Sequence, residues 1–190
     1  RLGARVHRFK GQVDIQWASM NSGKTQTLVW LHGFSDRKES FYFCAGPLKK
    51  QFNIIVLDLP GFGKSSKDTN LEYSLDNYCQ WPGEFTQGTG PNRFHLAGCS
   101  LGGAIGTKLA ARFPERIQSL ILAGTAGFYL PGKASIYQEA LKGLNIFQVD
   151  SVEEYEGLRD RIFRRKPPLP HFIKEYMAKH AMDNRDWYGK

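Results

Sequence analysis

A serine held between glycines is the place in this sequence where residue type and spacing converge on bond-making chemistry. Ser100 stands in the run Gly98-Cys99-Ser100-Leu101-Gly102. A serine hydroxyl attacks a carbonyl carbon when a base takes its proton and nearby N–H groups receive the charge that develops on oxygen. Two glycines around a serine recur by chance in many chains, so the setting must give this one its meaning. Before it, Arg93 to Ala97 is short, apolar and β-prone; after it, Leu101, Ile105 and Leu109 recur four apart with Ala104 beside them, a helical spacing. The period changes from strand to helix at Ser100. A residue at such a tip has a strained backbone, and only tiny neighbours two positions away let strand and helix approach closely. The turn lifts the hydroxyl out at the carboxyl end of the strand. The N–H of Leu101 then opens a helix, where a developing oxyanion is best stabilised.

The elements needed to hold this turn are legible on either side. Val13, Ile15 and Trp17 alternate with polar residues, and Ala4 to Phe9 is a partner strand across Lys10-Gly11, so the chain opens with an antiparallel hairpin. Thr27 to Leu31, Phe52 to Leu59 and Ile117 to Ala123 are nearly continuous apolar runs, the mark of strands buried on both faces of a parallel sheet. Between them, Ser40 to Gln51 suits a helix if Pro47 lies near its first turn. Leu75 to Gln87 suits another, capped by Ser74 and expected to be short, kinked or broken at Pro82-Gly83. Strands alternating with helices predict a doubly wound α/β sheet with its site at the strand carboxyl ends. From Phe128 onward no buried strand is expected. Helices are predicted over Ala134–Gly143, Ser151–Arg164 and Pro170–Met182, the last two joined by the stiff Pro167-Pro168-Leu169-Pro170 connector.

The bulk composition narrows the classes. At 190 residues with 41% hydrophobic and 23% charged side chains, the chain can bury a sizeable core and is neither disordered nor fibrous. A net charge of +8 raises the question of an anionic partner. The densest basic run, Arg161, Arg164, Arg165 and Lys166, reads equally well as a solvated helix face with its following loop, and no nucleic-acid motif accompanies it, so nucleic acid is not an expected partner. Cys44, Cys79 and Cys99 lack metal-ligand spacing and read first as free core thiols, with one bridge left open, so the compartment, cytoplasmic or secreted, is undecided. No apolar run is long enough for a membrane-spanning helix. Two segments imitate a phosphate-binding loop and fail. Ser22-Gly23-Lys24-Thr25 has Ala18, and Gly63-Lys64-Ser65 has Asp58, where the pattern needs its first glycine.

Four segments together carry a family resemblance: LHGF at Leu31 to Phe34, DLPGFGKS at Asp58 to Ser65, FHLAGCSLGG at Phe94 to Gly103, and FPERIQSLIL at Phe113 to Leu122. In order and spacing they resemble the α/β-hydrolase superfamily, and among its members the serine-nucleophile lipases and esterases with a helical cap. The resemblance implies an α/β-hydrolase core over residues 1–128, a mostly parallel doubly wound sheet with an N-terminal antiparallel hairpin. Residues 129–190 correspond to the start of the cap, and the chain stops before the last core strands. It implies that Ser100 is the nucleophile and that the backbone N–H groups of Phe34 and Leu101 form the oxyanion hole. His32 and Gly33 shape the supporting loop, and Gly98 and Gly102 the turn. The substrate class implied is a small-molecule ester or lipid, handled without cofactor or metal. Relatives with Asp or Cys at the nucleophile position catalyse other reactions; here it is Ser, with Cys99 one residue off the tip.

In this fold the acid and then the base follow the serine in sequence. No strand ending in an acid follows Leu122. His95 lies five residues back on the same strand, roughly 16 Å from Ser100 at strand rise. His7 belongs to the hairpin, and His32 is expected to be structural. His171 and His180 fall in cap-like helices, where Asp150, Asp160, Asp183 and Asp186 read as surface charges. The expectation is that acid and base lie in a C-terminal part of the fold absent from this chain, and that residues 1–190 alone are inactive or nearly so. Two other readings share the motifs: a carbon–carbon bond hydrolase acting on ring-cleavage products, and a non-catalytic binding protein on a hydrolase fold.

Overall fold

The apolar runs become a six-stranded mixed sheet. The structure, a computed structural model, describes residues 3–21, 23–128, 138–139 and 141–189. The strands are β1 (Arg5–Lys10), β2 (Asp14–Met20), β3 (Thr27–Leu31), β4 (Asn53–Leu57), β5 (Phe94–Cys99) and β6 (Ile117–Ala123), in the spatial order β1-β2-β4-β3-β5-β6. The expected hairpin forms, with Arg5 opposite Ser19 and Lys10 opposite Asp14. β2 pairs antiparallel with β4, and from β4 onward all neighbours are parallel. The chain therefore leaves β3, β4, β5 and β6 at one edge of the sheet, at His32, Asp58, Ser100 and Gly124.

Both faces of the inner strands β3, β4 and β5 are covered, as a continuous apolar run requires. On one, Leu28, Ile54, Val56 and Ala97 pack with Phe41 and Ala45, and Trp30 stacks on Phe41 at 4.4 Å between ring centroids. Those two covering residues come from a 3-10 turn (Lys38–Phe41) that runs into α1 (Tyr42–Leu48). On the other lie α2 (Leu75–Thr89) and α3 (Leu101–Arg112), where Gly106 of α3 lies over Leu96 and Leu120.

Three local expectations are corrected. Pro47 sits at the end of α1, in its last turn, where the helix is already closing. α2 runs unbroken through Pro82-Gly83 for 15 residues. Trp81, Pro82, Gly83 and Phe85 are all buried, and a side chain on Gly83 would stand 3.2 Å from the Phe113 ring. Packing of that face offsets the ~3 kcal/mol that an interior proline costs. Ser74 caps the helix by accepting from the N–H of Asn77 at 3.3 Å. β6 is not buried on both faces: it is the sheet's edge, and Ile121 and Leu122 are 51% and 38% exposed. A strand with one neighbour has too little around it to cover its side chains.

The described residues fall into two compact units, Arg1–Phe128 and Tyr129–Lys190. The second contains α4 (Val152–Ile162), α5 (His171–Asp183) and the short α6 (Arg185–Tyr188), with no strand among its described residues. Its core is Val149, Tyr155, Leu158, Ala178 and Ala181. The proline connector is held by buried Arg159, which donates to the carbonyl of Pro167 at 2.9 Å and to Glu156 at 2.7 Å. Of the helix expected over Ala134–Gly143, residues 134–137 and 140 lie outside the described residues, 138–139 are helical, and 141–143 form a turn.

Candidate active site

Ser100 occupies the tip between β5 and α3 with φ 50° and ψ −116°, a conformation that L-residues with a Cβ avoid. The fold holds it there from both sides. Its N–H donates to the carbonyl of Ala123 at 3.2 Å, and its carbonyl accepts from Ala126 at 3.0 Å and from Gly103 and Ala104 in the first turn of α3. The glycines around it are required by contact with backbone. A Cβ on Gly98 would run into the Gly102 carbonyl and the Gly103 amide, and one on Gly102 into the carbonyls of Leu31 and His32. Gly103 is likewise closed by Thr125, a contact the sequence did not point to. Strand end, helix start and the loop after β3 thus meet without side chains between them.

That loop brings Gly33 against the serine: a methyl on Gly33 would lie 3.3 Å from Ser100 Cβ and 4.0 Å from its Oγ. Phe34 follows directly, its ring edge-on to Phe62 at 5.1 Å. Leu101 is the first residue of α3, so its N–H has no acceptor within the helix. The start of α3 and the Gly33 backbone thus both border Ser100. The chemistry such a place supports is attack by the hydroxyl with stabilisation of the resulting oxyanion.

His32 is fully buried. Its Nε2 accepts from the Leu59 N–H at 2.9 Å, which leaves Nδ1–H to donate to the Gly33 carbonyl at 2.7 Å. Burial pushes its pKa below the ordinary imidazole range, against the opposing pull of that carbonyl and of Asp36 and Asp58. A neutral ring with both nitrogens engaged joins two loops. The other histidines of the first unit are also placed away from the serine. His7 bonds Ser19 Oγ at 2.8 Å and stacks on Trp17, and His95 bonds Ser119 Oγ at 2.8 Å near the opposite end of β5. In the second unit His171 pairs with Glu175 along an exposed helix face, and His180 lies in the same helix. Burial, with Asp36 nearby, pushes the Cys99 thiol up, so it stays protonated.

Sequence reasoning passed over one constellation. Lys38 and Asp58, 1% and 0% exposed, form an ion pair with Nζ donating to Oδ2 at 2.8 Å. Its partners outweigh desolvation and raise the Lys38 pKa, so the ammonium keeps its charge. Among the described residues no group of His, Cys, Asp and Glu side chains could hold a metal ion, and no helix is long and apolar enough to cross a membrane.

Comparison with known proteins adds three findings. The family model for the alpha/beta hydrolase fold matches residues 26–162. Lipase 3 of Moraxella sp. (strain TA144) is 32% identical across 95% of this chain and 61% of its own length, and Lipase 1 of Psychrobacter immobilis is 30% identical across 98% and 62%. The crystal structure of a membrane phospholipase A, described as a novel bacterial virulence factor, superposes with a TM-score of 0.90 at 32% identity, over 98% of this chain and 61% of that one. The chain spans about three fifths of the length of these proteins.

Proposed function

The chain belongs to the alpha/beta hydrolase fold family, and from that premise we propose that it is the nucleophile-bearing part of a serine hydrolase that cleaves carboxylic esters of the lipase or esterase kind. The observation that carries this reading is Ser100 at φ 50° with the Gly33 backbone packed against its Cβ. The fold holds a strained non-glycine residue at the strand-to-helix tip, where the start of α3 and the Gly33 loop meet it. Similarity to two lipases and a phospholipase supports acyl esters as the substrate class.

In this mechanism the Ser100 hydroxyl adds to the ester carbonyl. The oxygen that becomes negative receives the N–H groups of Leu101 and Phe34, and collapse expels the alcohol to leave an acyl group on Ser100. Water then attacks the same carbonyl through the same oxyanion site and releases the carboxylic acid. His32 holds the loop and takes no proton in either step. A base beside Ser100, and an acid to orient it, are supplied by a part of the protein outside residues 1–190. Residues 129–190 are read as the start of a helical cap. Acyl transfer of this kind calls on no cofactor.

A fluorophosphonate probe applied to the complete gene product tests the reading. Covalent labelling and p-nitrophenyl ester turnover that both vanish in Ser100→Ala are the expected result. Undiminished turnover in that variant refutes it. Residues 1–190 alone are expected to turn over at a small fraction of the complete protein's rate, because the hydroxyl and oxyanion site without a base retain only a residue of catalysis.

A further inference from the structure

Residues Gly33 to Arg37 form an arch between β3 and the 3-10 turn, and its two feet stand on adjacent residues after β4, one on Leu59 and the other on Asp58. At the near foot His32 Nε2 accepts from the N–H of Leu59 at 2.9 Å. At the far foot Lys38 grips the Asp58 carboxylate twice, its backbone N–H on Oδ1 at 2.8 Å and its Nζ on Oδ2 at 2.8 Å. The span between carries Ser35 at φ 58°, with Ser100 the other non-glycine residue of positive φ among those described. An arch with a strained residue in it keeps its shape only while both ends are held.

Asp58 is built to hold. Its Oδ2 also accepts from the Lys64 N–H at 2.9 Å, and its carbonyl accepts from Ser65 Oγ at 2.6 Å. Lys38 Nζ spends its remaining donors on Gln16 Oε1 at 3.0 Å and Glu39 Oε1 at 2.8 Å. Every proton of the ammonium is directed. A buried ion pair contributes little net stability compared with apolar side chains of the same volume, so stability is a poor reason for this one. What the pair supplies and a leucine would not is direction: it fixes where residue 38, and hence the arch, stands relative to the loop after β4.

We propose that Lys38 and Asp58 are positioning residues of the oxyanion hole, setting the far end of the arch whose near end carries Gly33 and the Phe34 N–H. The inference rests on the reading of Ser100 and Phe34 given above. With the pair gone, the arch relaxes at Ser35 and the Phe34 N–H drifts from the oxyanion. The ester still binds, because binding does not depend on that donor, but its transition state loses it.

The test uses the complete gene product and the double variant Lys38→Met/Asp58→Leu, which removes the charges together and leaves neither orphaned. The expected result is kcat for p-nitrophenyl butyrate reduced about 10- to 100-fold, short of the loss on deleting an oxyanion donor outright. KM stays within roughly threefold, and inactivation by a phosphonate ester slows in parallel with kcat, since it builds the same charge. A merely structural role would lower the melting temperature without splitting kcat from KM. Wild-type kcat in the folded double variant overturns the proposal. Should that variant fail to fold, Lys38→Gln, which keeps a donor toward Asp58, takes its place, with a kcat loss of about 3- to 10-fold expected and an unchanged kcat overturning it. Turnover that survives Ser100→Ala overturns this proposal together with the one beneath it, whereas turnover lost in Ser100→Ala and intact in the double variant overturns this one alone.

Discussion

The same substitution at two glycines one helical turn apart in α3 should act with opposite sign. An ideal Cβ on Gly102 falls 2.5 Å from the carbonyl oxygen of His32 and closer still to that of Leu31, whereas ordinary contact begins at 3.4 Å. Both obstacles are backbone at the end of β3, so α3 must withdraw by about 1 Å. Overpacking of that kind costs about 1–3 kcal/mol, and rigid obstacles put it at the upper end. At Gly106 the nearest atoms are Leu120 Cδ1 at 3.4 Å and Leu96 Cδ2 at 3.6 Å. The methyl fits there, and a helix interior gains ~0.5–1 kcal/mol when glycine becomes alanine. Gly102→Ala and Gly106→Ala should therefore differ by roughly 2–4 kcal/mol, or roughly 5–15 °C in melting temperature for a chain of this size. Thermal unfolding followed by far-UV circular dichroism, both variants and parent in parallel, measures it. A Gly102→Ala melt within a degree or two of the parent, or below which Gly106→Ala falls, refutes the reasoning that backbone contact under the serine dictates this glycine.

Three other perturbations test separate links. Burial lowers the His32 pKa, so the unfolded chain binds that proton more readily; the stability involved is complete above about pH 6.5 and is lost as pH falls below it toward the lowered folded value. Melting temperature should decline between pH 7 and 5 more steeply in the parent than in His32→Gln, and equal slopes would remove the assignment. Ser100 at φ 50° stores strain that only glycine relieves, so Ser100→Gly should be more stable than Ser100→Ala by about 1 kcal/mol or more and melt at a higher temperature; coincident melts would show the tip to be unstrained. The open edge of β6, with Ile121 and Leu122 exposed, should make residues 1–190 self-associate as concentration rises. Sedimentation velocity should show this association weakened in Ile121→Lys/Leu122→Lys, and a parent whose sedimentation does not change with concentration contradicts it.

How far the sequence could be read depended on how local each determinant was. The strand-to-helix change at Ser100 is written in consecutive residues, and the hairpin, β3, β4 and β5 announce themselves by their own apolar pattern. Pro82 misled because its cost is local while the compensation, burial of Trp81 and Phe85 and the approach of Phe113 to Gly83, comes from elsewhere. β6 misled for the reverse reason: its apolar residues describe a strand suited to burial on both faces, and exposure depends on what lies beside it.

The Lys38–Asp58 pair was the hardest to see, since a buried lysine reads in sequence like any surface lysine. A signal does exist on the other partner. Gly63 has φ +55°, and a Cβ there would strike the Asp58 carboxylate. An aspartate at a strand end with a glycine five residues on marks a loop wound around the carboxylate, and a carboxylate so enclosed has lost its water. It then needs a cation or several N–H donors, and the Lys64 N–H supplies only one. From Asp58 and Gly63 alone one could therefore have inferred that a basic side chain comes in from another loop. The carboxyl end of β3 is the neighbouring place from which it can come, and Arg37 and Lys38 are the first basic residues after it. The motif that failed as a phosphate loop, because Asp58 stands where a glycine belongs, carries its information in that same aspartate.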